Sequence, residues 1–426
     1  MLSIVAVAVF VIAYALIASE KINRVAVVSA GAAIMFFIGA TNPESAFYNH
    51  GTGIDWNVIF LLMGMMIIVS VIHKTGLFEF LAVSAIKFTK GSPRGSYASI
   101  LILVAVASAL LDNVTTILLA VPMTFLITEK LRTSPVPFIL GEVFVSNIGG
   151  AATLIGDPPN IIIASKAGIG FNDFLVHMAP LVCVVLLLTI PMLMWMFRGE
   201  LINSVNDRKA IMKLEPKSFI TDQRLLTKSV IVLLMVILGF VLHSIIHIDP
   251  AVIAMSGAGL LILVSRLKPV DFAQDVEWGT LVFFAGLFIM VGALVNVGAL
   301  SVLSNTIADW VGDDANLAAG SLVVLSALIS GVVDNIPYVA SMIPVVNHLN
   351  ETIASVTNDG LWWALAFGAD FGGNLSIIGA SANVVAISLA HAKGIHISFM
   401  KFFRYGLPVT ALSIGLALPY VLYMYF

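Results

Sequence analysis

The chain has 426 residues, of which 60% are hydrophobic and 11% charged, with a formal net charge of −3. A soluble domain is nearer half apolar and a quarter charged. This composition, with a mean hydropathy of +1.05, therefore describes a polytopic helical membrane protein, not a soluble enzyme or a nucleic-acid-binding domain. A membrane β-barrel would alternate polar and apolar residues in segments of about ten, and that pattern is not seen.

Taken in chain order, the first apolar run, 2–18, lacks a basic n-region and a small-residue cleavage site, so it is expected to be a retained span and not a signal peptide. Crossings are expected at 25–41 and 56–73, then an amphipathic stretch at 77–90. An apolar segment at 98–130 carries Asp112-Asn113 at its middle. A broken crossing at 136–168 and an intact one at 171–197 complete the first half. Read as one straight span, 98–130 would bury both polar residues in a continuous helix. Read as a helical hairpin, it places them at a turn with freed backbone groups nearby.

The second half repeats the first. Trp56, Gly64, Gly76, Leu81, Ser108, Asp112, Asn113 and Pro122 recur 222 positions later as Trp278, Gly286, Gly298, Leu303, Ser330, Asp334, Asn335 and Pro344. After a one-residue slip, Gly149, Gly150, Ile155, Gly156, Asn160 and Ser165 recur as Gly372, Gly373, Ile378, Gly379, Asn383 and Ser388. The expected architecture is all-α, with two inverted five-crossing repeats, 1–197 and 229–426, joined by a polar linker at 198–228. Each repeat has a re-entrant helical hairpin (98–130, 318–346) and a broken transmembrane helix (136–168, 361–392).

Charge supports this arrangement. An odd number of crossings inverts the second repeat. With both termini outside, only Lys166 of the 21 lysines and arginines lies outside the cytoplasm. Treating 98–130 as a single span would put Lys130 and Arg132 outside and spoil that sorting. The 198–228 linker is then cytoplasmic, in the inner (plasma) membrane of a cell. The first hairpin enters from the cytoplasm and the second from outside.

The repeated polar residues are candidates for an ion or substrate site. An ionisable group at membrane depth costs about 2.5–3.5 kcal/mol even on lenient scales, so it normally binds something. The first site combines Asp112, Asn113, Thr115 and Thr116 with the break at Gly149, Gly150, Asp157 and Asn160. Paired glycines and prolines interrupt a helix, and such backbone is tolerated at depth only in protein or beside a cavity. The second site combines Asp334 and Asn335 with Asp370, Gly372, Gly373, Asn374, Ser381 and Asn383. Here Ser381-Ala382 replace the paired prolines and Ala380 replaces Asp157, so the sites are related but unequal. Oxygen ligands of this kind suit a small cation, Na+ included, or a hydroxylated solute. The bland alternative is that the Asp and Asn residues only cap helices at the hairpin turns. No Lys or Arg falls at the centre of a span, so the core is expected to be acidic and uncompensated, which favours cation or proton binding.

Four other features of the sequence carry polar or reactive groups. Glu142 is either a proton carrier or a group bonded to a neighbouring helix or lying near the membrane surface. His243 and His247 have a metal-like spacing, but no third ligand completes the set, so they read as interfacial polar residues. Cys183, the only cysteine, permits no disulfide or thiolate cluster and reads as a packed small residue. Asp55-Trp56 and Glu277-Trp278 read as interface anchors.

The strings GGAATLIGDPPN, LLDNVTT, DNIPYVASMIP and GGNLSIIGASANVV resemble the ion transporter superfamily, most of all the arsenical pump membrane proteins, the P-protein type and the NhaD sodium/proton antiporters. The resemblance runs in order along nearly the whole chain. It implies scaffold and transport parts in each repeat, a homodimer and an elevator motion. Sodium-coupled dicarboxylate carriers of this superfamily have Ser-Asn-Thr at their hairpin tips. Asp112-Asn113-Val114 and Asp334-Asn335-Ile336 depart from that, which weakens a dicarboxylate assignment.

The expected function is secondary transport, with no enzyme activity and no cofactor. The leading expectation is efflux of arsenite or antimonite, an arsenical-resistance activity, by proton antiport. Asp112, Asp334 and Asp157 would be titrated, and Asn113, Asn335, Asn160 and Asn383 would hold the metalloid. The alternatives are a Na+/H+ antiporter and an anion (chloride or carboxylate) carrier or channel. Expected partners are the small inorganic ion or metalloid, protons or Na+, and membrane lipid. With no nucleotide loop in this chain, ATP-driven pumping would need a separate ATPase subunit.

Overall fold

Glycine, proline and capping residues divide the apolar sequence into helices. The computed structural model describes residues 1–19, 21–201, 212, 214–265, 268–353 and 359–426. In the first half these are α1 (Leu2–Ala18), α2 (Arg24–Phe37), α3 (Pro43–Phe47), α4 (Trp56–His73), α5 (Leu77–Phe88), α6 (Pro93–Leu110), α7 (Asn113–Leu131), α8 (Val136–Gly150), α9 (Pro158–Ala167) and α10 (Phe171–Met196). In the second half they are α11 (Gln223–Ile246), α12 (Pro250–Ser265), α13 (Pro269–Ala273), α14 (Trp278–Asn296), α15 (Ala299–Val311), α16 (Ala315–Ser330), α17 (Asn335–Thr352), α18 (Gly360–Gly372), α19 (Ser381–Ala392) and α20 (Phe399–Tyr425). No strand occurs among the described residues. Seven of their helices (α4, α6, α7, α10, α11, α14 and α20) are long and apolar enough to cross a membrane.

Boundaries moved where local chemistry overrides hydropathy. The segment 98–130, expected to form a hairpin, falls on α6 and α7; α6 starts earlier than 98 because Ser92 caps the Gly95 N–H and Pro93 suits a first helical turn. Each of these helices is itself long enough to cross. The linker expected at 198–228 ends earlier, because Asp222 accepts from the Arg224 and Leu225 N–H groups and starts α11 at Gln223. Part of that linker lies outside the described residues. Its end docks on the first half: Lys87 Nζ donates to Leu214 O at 2.8 Å, and the Thr221 N–H to Thr75 O at 3.1 Å.

The two halves pack reciprocally. α2 lies on α14, and α4 lies on α12. Within each half the first hairpin arm packs on the helix before the break, α6 on α8 and α16 on α18. The half-helix after each break crosses to the other half's second hairpin arm, α9 to α17 and α19 to α7. α8 and α18 are buried along their whole length. In contrast, α10, α11 and α20 expose apolar side chains such as Leu187, Leu234 and Tyr423.

The close approach of arm to break depends on glycine. A Cβ on Gly149 would stand 2.3 Å from Ala105 O, and one on Gly372 would stand 2.6 Å from Ala327 O. Small residues that let helix backbones touch replace the hydrophobic drive that apolar lipid cannot supply.

Candidate functional site

Each hairpin turns at its Asp-Asn pair, and capping accounts for part of that. Asp112 starts α7 by accepting from the Thr115 N–H at 2.8 Å and Thr115 Oγ1 at 2.5 Å. Asp334 starts α17 by accepting from the Ile336 N–H at 3.1 Å. The bland reading of these acids is thus correct as far as it goes, and Thr115 is a cap partner. Thr116 is buried, and its hydroxyl has no hydrogen-bond partner.

The asparagines beside these acids face inward. The Asn113 N–H donates to Gly156 O at 3.1 Å, tying the first tip to the break. Its side-chain Nδ2 donates to Asp157 Oδ2 at 2.9 Å and to Asn147 Oδ1 at 3.3 Å. Asn335, at the other tip, donates to the same Asp157 Oδ2 at 3.2 Å. Asp157 is buried, so one carboxylate oxygen joins both tips.

A second layer holds the breaks open. Asn160 Nδ2 donates to Gly150 O and Thr153 O, at 3.3 and 3.2 Å. Asn383 Nδ2 donates to the matching carbonyls, Gly373 O and Ser376 O, both at 2.8 Å. These two asparagines therefore satisfy backbone freed by the break, a need imposed by the absence of water at depth. Ser108 and Ser330 tie the first hairpin arms to the helices before the breaks, donating to Ser146 O (2.7 Å) and Ala369 O (2.6 Å). Asn147 joins the halves directly: its Nδ2 donates to Asn374 Oδ1 and Asn383 Oδ1, each at 2.9 Å. Asn374 in turn donates to Phe144 O at 3.2 Å.

The two tip acids are not equivalent. Asp334 accepts from Ser381 Oγ at 2.6 Å and lies 3.6 Å from the Arg24 guanidinium, which also donates to Ser381 Oγ and stacks 5.3 Å from the centroid of the Phe283 ring. This corrects the expectation of an uncompensated acidic core at Asp334 alone; no Lys or Arg among the described residues pairs with Asp112, Asp157 or Asp370. Arg24 opens α2 at the end of a span, but its long side chain reaches the tip of the second hairpin. A cavity of about 580 Å³ opens beside the pair, lined by Arg24, Glu277, Thr280, Asp334, Ser381 and Ser388. Asp112 has no such partner among the described residues, and its carboxylate is turned to Thr115.

Glu142 is fully buried and accepts from Thr124 on the neighbouring arm, in keeping with a group bonded to a neighbouring helix. His243 bonds to Phe240 O at 2.8 Å, and no cluster of metal-ligating side chains occurs among the described residues. Cys183 is exposed on α10, not packed inside, and far along the chain from either break. Asp55 caps α4 and pairs with Lys166 at 3.3 Å. Asp370 is fully buried without a hydrogen bond to either carboxyl oxygen.

Sequence reasoning missed Asn147 and Arg24. Asn147 could have been found, since it stands 223 positions before Asp370, the offset that relates Gly149 to Gly372. No local signal marks Arg24, whose partner lies 310 residues away.

The model of the CitMHS family, described as citrate transporter, matches residues 14–368. The chain belongs to this family. It is 47% identical to the "46 kDa membrane protein" of Mycobacterium leprae over 98% of this chain and 97% of that protein. It is 48% identical to an uncharacterized transporter of Mycobacterium tuberculosis over 100% of this chain and 99% of that protein. The human P protein is 32% identical over 98% of this chain, which spans 59% of that longer protein. Among solved structures, the fold is similar to the YdaH transporter of Alcanivorax borkumensis (TM-score 0.58, 14% identity, covering 85% of this chain and 84% of that one). It is also similar to Neisseria gonorrhoeae MtrF (TM-score 0.61, 12% identity, covering 88% and 82%). The family member described here is a membrane transporter built entirely of helices among its described residues.

Proposed function

We propose that this transporter is a secondary active carrier in which a coupling ion, a proton first, is exchanged at Asp157, and that its cargo is arsenite or antimonite moved outward. The observation that carries the coupling role is the bond from both hairpin asparagines to one buried carboxylate oxygen. A cation or proton arriving at Asp157 competes with both amides at once and so alters how both tips are held. An elevator-like displacement of the tips and breaks against α2, α4, α12 and α14 follows from that division of the molecule.

The surrounding donors, Asn113, Asn147, Asn335, Asn374 and Asn383, are neutral and oxygen- or amide-bearing, as an uncharged hydroxylated metalloid requires. Thiolate recognition has no support, because Cys183 stands on an exposed face. In the orientation that the charge distribution favours, the cavity beside Arg24 faces the cytoplasm, the side from which an efflux carrier loads. That cavity also favours a second reading, an anionic cargo that would meet the Arg24 guanidinium.

The test is arsenite accumulation in everted vesicles under an imposed proton gradient, with Asp157→Asn alongside and parallel arms containing sodium, chloride or citrate. Accumulation that collapses with a protonophore and in the variant supports proton-coupled metalloid efflux. Sodium-dependent proton movement without arsenite uptake, or anion uptake lost in Arg24→Gln, would replace it with the antiporter or anion reading.

A further inference from the structure

Asn147 and Asp370 occupy matching places, on the last turn before each break, 223 residues apart. So do Asn160 and Asn383, on the first turn after each break. In one crossing of the halves the pattern is complete: Asn147 Nδ2 donates to Asn383 Oδ1 at 2.9 Å, while Asn383 Nδ2 serves its own break. In the reciprocal crossing, α18, which carries Asp370, packs on α9, which carries Asn160, and Asn160 Nδ2 serves its own break in the same way. There, Asn160 Oδ1 and both Asp370 carboxyl oxygens have no hydrogen-bond partner. All are fully buried, and no Lys or Arg among the described residues pairs with Asp370.

An amide at position 370 would donate to Asn160 Oδ1 as its counterpart does. A carboxylate cannot donate, and as an isolated buried charge it would be very costly. A carboxylic acid can donate, and it removes the charge. We infer that Asp370 is a proton-binding site, its carboxyl O–H donating to Asn160 Oδ1 in place of the amide hydrogen that Asn147 supplies in the other crossing.

The site is separate from Asp157, whose carboxylate is already bonded to Asn113 and Asn335. Two buried carboxyls, one bonded to the tips and one to the opposite break, give the transporter a proton position that is part of the contact between halves. Its use in coupling rests on the transport reading above, whereas its occupancy by a proton does not.

The decisive experiment is infrared spectroscopy of the full chain in lipid nanodiscs at neutral pH, without cargo. The wild type should show a protonated-carboxyl C=O band that shifts on deuteration. The Asp370 component of the band should persist in Asp157→Asn and in Glu142→Gln, and disappear in Asp370→Asn. Asp370→Asn supplies the amide donor permanently, so it should fold with wild-type yield. If it does not fold, Asn147→Asp serves instead: it recreates the acid–amide pair in the other crossing and should add a second such band. No protonated-carboxyl band in the wild type, or one unchanged by Asp370→Asn, overturns the inference. In transport-competent vesicles, Asp370→Asn should lower the number of protons moved per cargo. A protein that moves no arsenite would leave the infrared result standing.

Discussion

Asp157, in the break of the first half, accepts a hydrogen bond from Asn335, at the hairpin tip of the second half, over 3.2 Å. The same oxygen accepts from Asn113, 2.9 Å away at the other tip. A single buried atom thus joins both hairpins. On the proposed reading, an ion that binds there in only one arrangement of the tips would shift the equilibrium toward that arrangement.

Substitution of Asp157 separates charge from hydrogen bonding. Asp157→Asn keeps an acceptor oxygen for the tips but cannot carry a proton or a cation with its charge. It is expected to insert and fold, and to lose coupled transport. Asp157→Ala removes the acceptor and leaves two buried amide donors unpaired, each costing about 1–3 kcal/mol. Thermal unfolding in detergent should therefore rank wild type near Asp157→Asn and well above Asp157→Ala. Full coupled transport in Asp157→Asn would remove this residue from the mechanism.

Arg24 and Asp334 join α2, which packs on α14, to the second hairpin tip. The Arg24 side chain is 33% exposed, so the pair contributes little to global stability. Its effect should appear in the balance between conformations. With Ser388→Cys as the only thiol, on a Cys183→Ala background, Arg24→Gln is expected to change the rate of maleimide labelling in the cavity by up to about fivefold, the equivalent of a surface ion pair. An unchanged rate would mean that the contact follows the tip without holding it.

Much of this centre was legible in the sequence. The repeated Asp-Asn pairs marked both hairpin tips, and the Gly-Gly and Pro-Pro strings marked the breaks, because few residues tolerate such backbone at depth. The breaks' bracing by Asn160 and Asn383 followed the same repeat. What was not legible depends on side-chain reach between segments remote in sequence. Hydropathy assigns Arg24 to a loop, yet its guanidinium reaches a tip in the other half. Asp112 and Asp334 look identical in sequence and differ because only Asp334 meets Arg24 and Ser381.

The close approach of hairpin to break makes its own forecast. Gly149→Ala and Gly372→Ala each force a methyl group into a backbone carbonyl, on Ala105 and Ala327 respectively. Each is expected to cost about 1–3 kcal/mol as overpacking, or to block folding outright. Gly415→Ala, on α20, meets nothing within 4 Å and should be neutral or slightly stabilising. Detergent-solubilised yield and unfolding temperature of the three variants measure this. Equal behaviour of all three would mean that the arms do not approach the breaks this closely.

The metalloid reading makes one demand that chemistry alone can check. Trivalent arsenic and antimony bind thiolates strongly, so a carrier can hold them through sulfur or through oxygen and amide groups. The only thiol in this chain is Cys183, exposed on α10. A single thiol cannot supply a three-sulfur site, and none of the hydrogen-bonded groups at the breaks comes from its neighbourhood. Cys183→Ala is therefore expected to keep wild-type arsenite transport, and prior treatment of the wild type with a maleimide should leave that transport intact. Loss of transport in both experiments would move recognition onto α10 and away from the asparagine cluster. Loss after maleimide alone would point to a bulky adduct that obstructs movement of a face that the alanine variant leaves free.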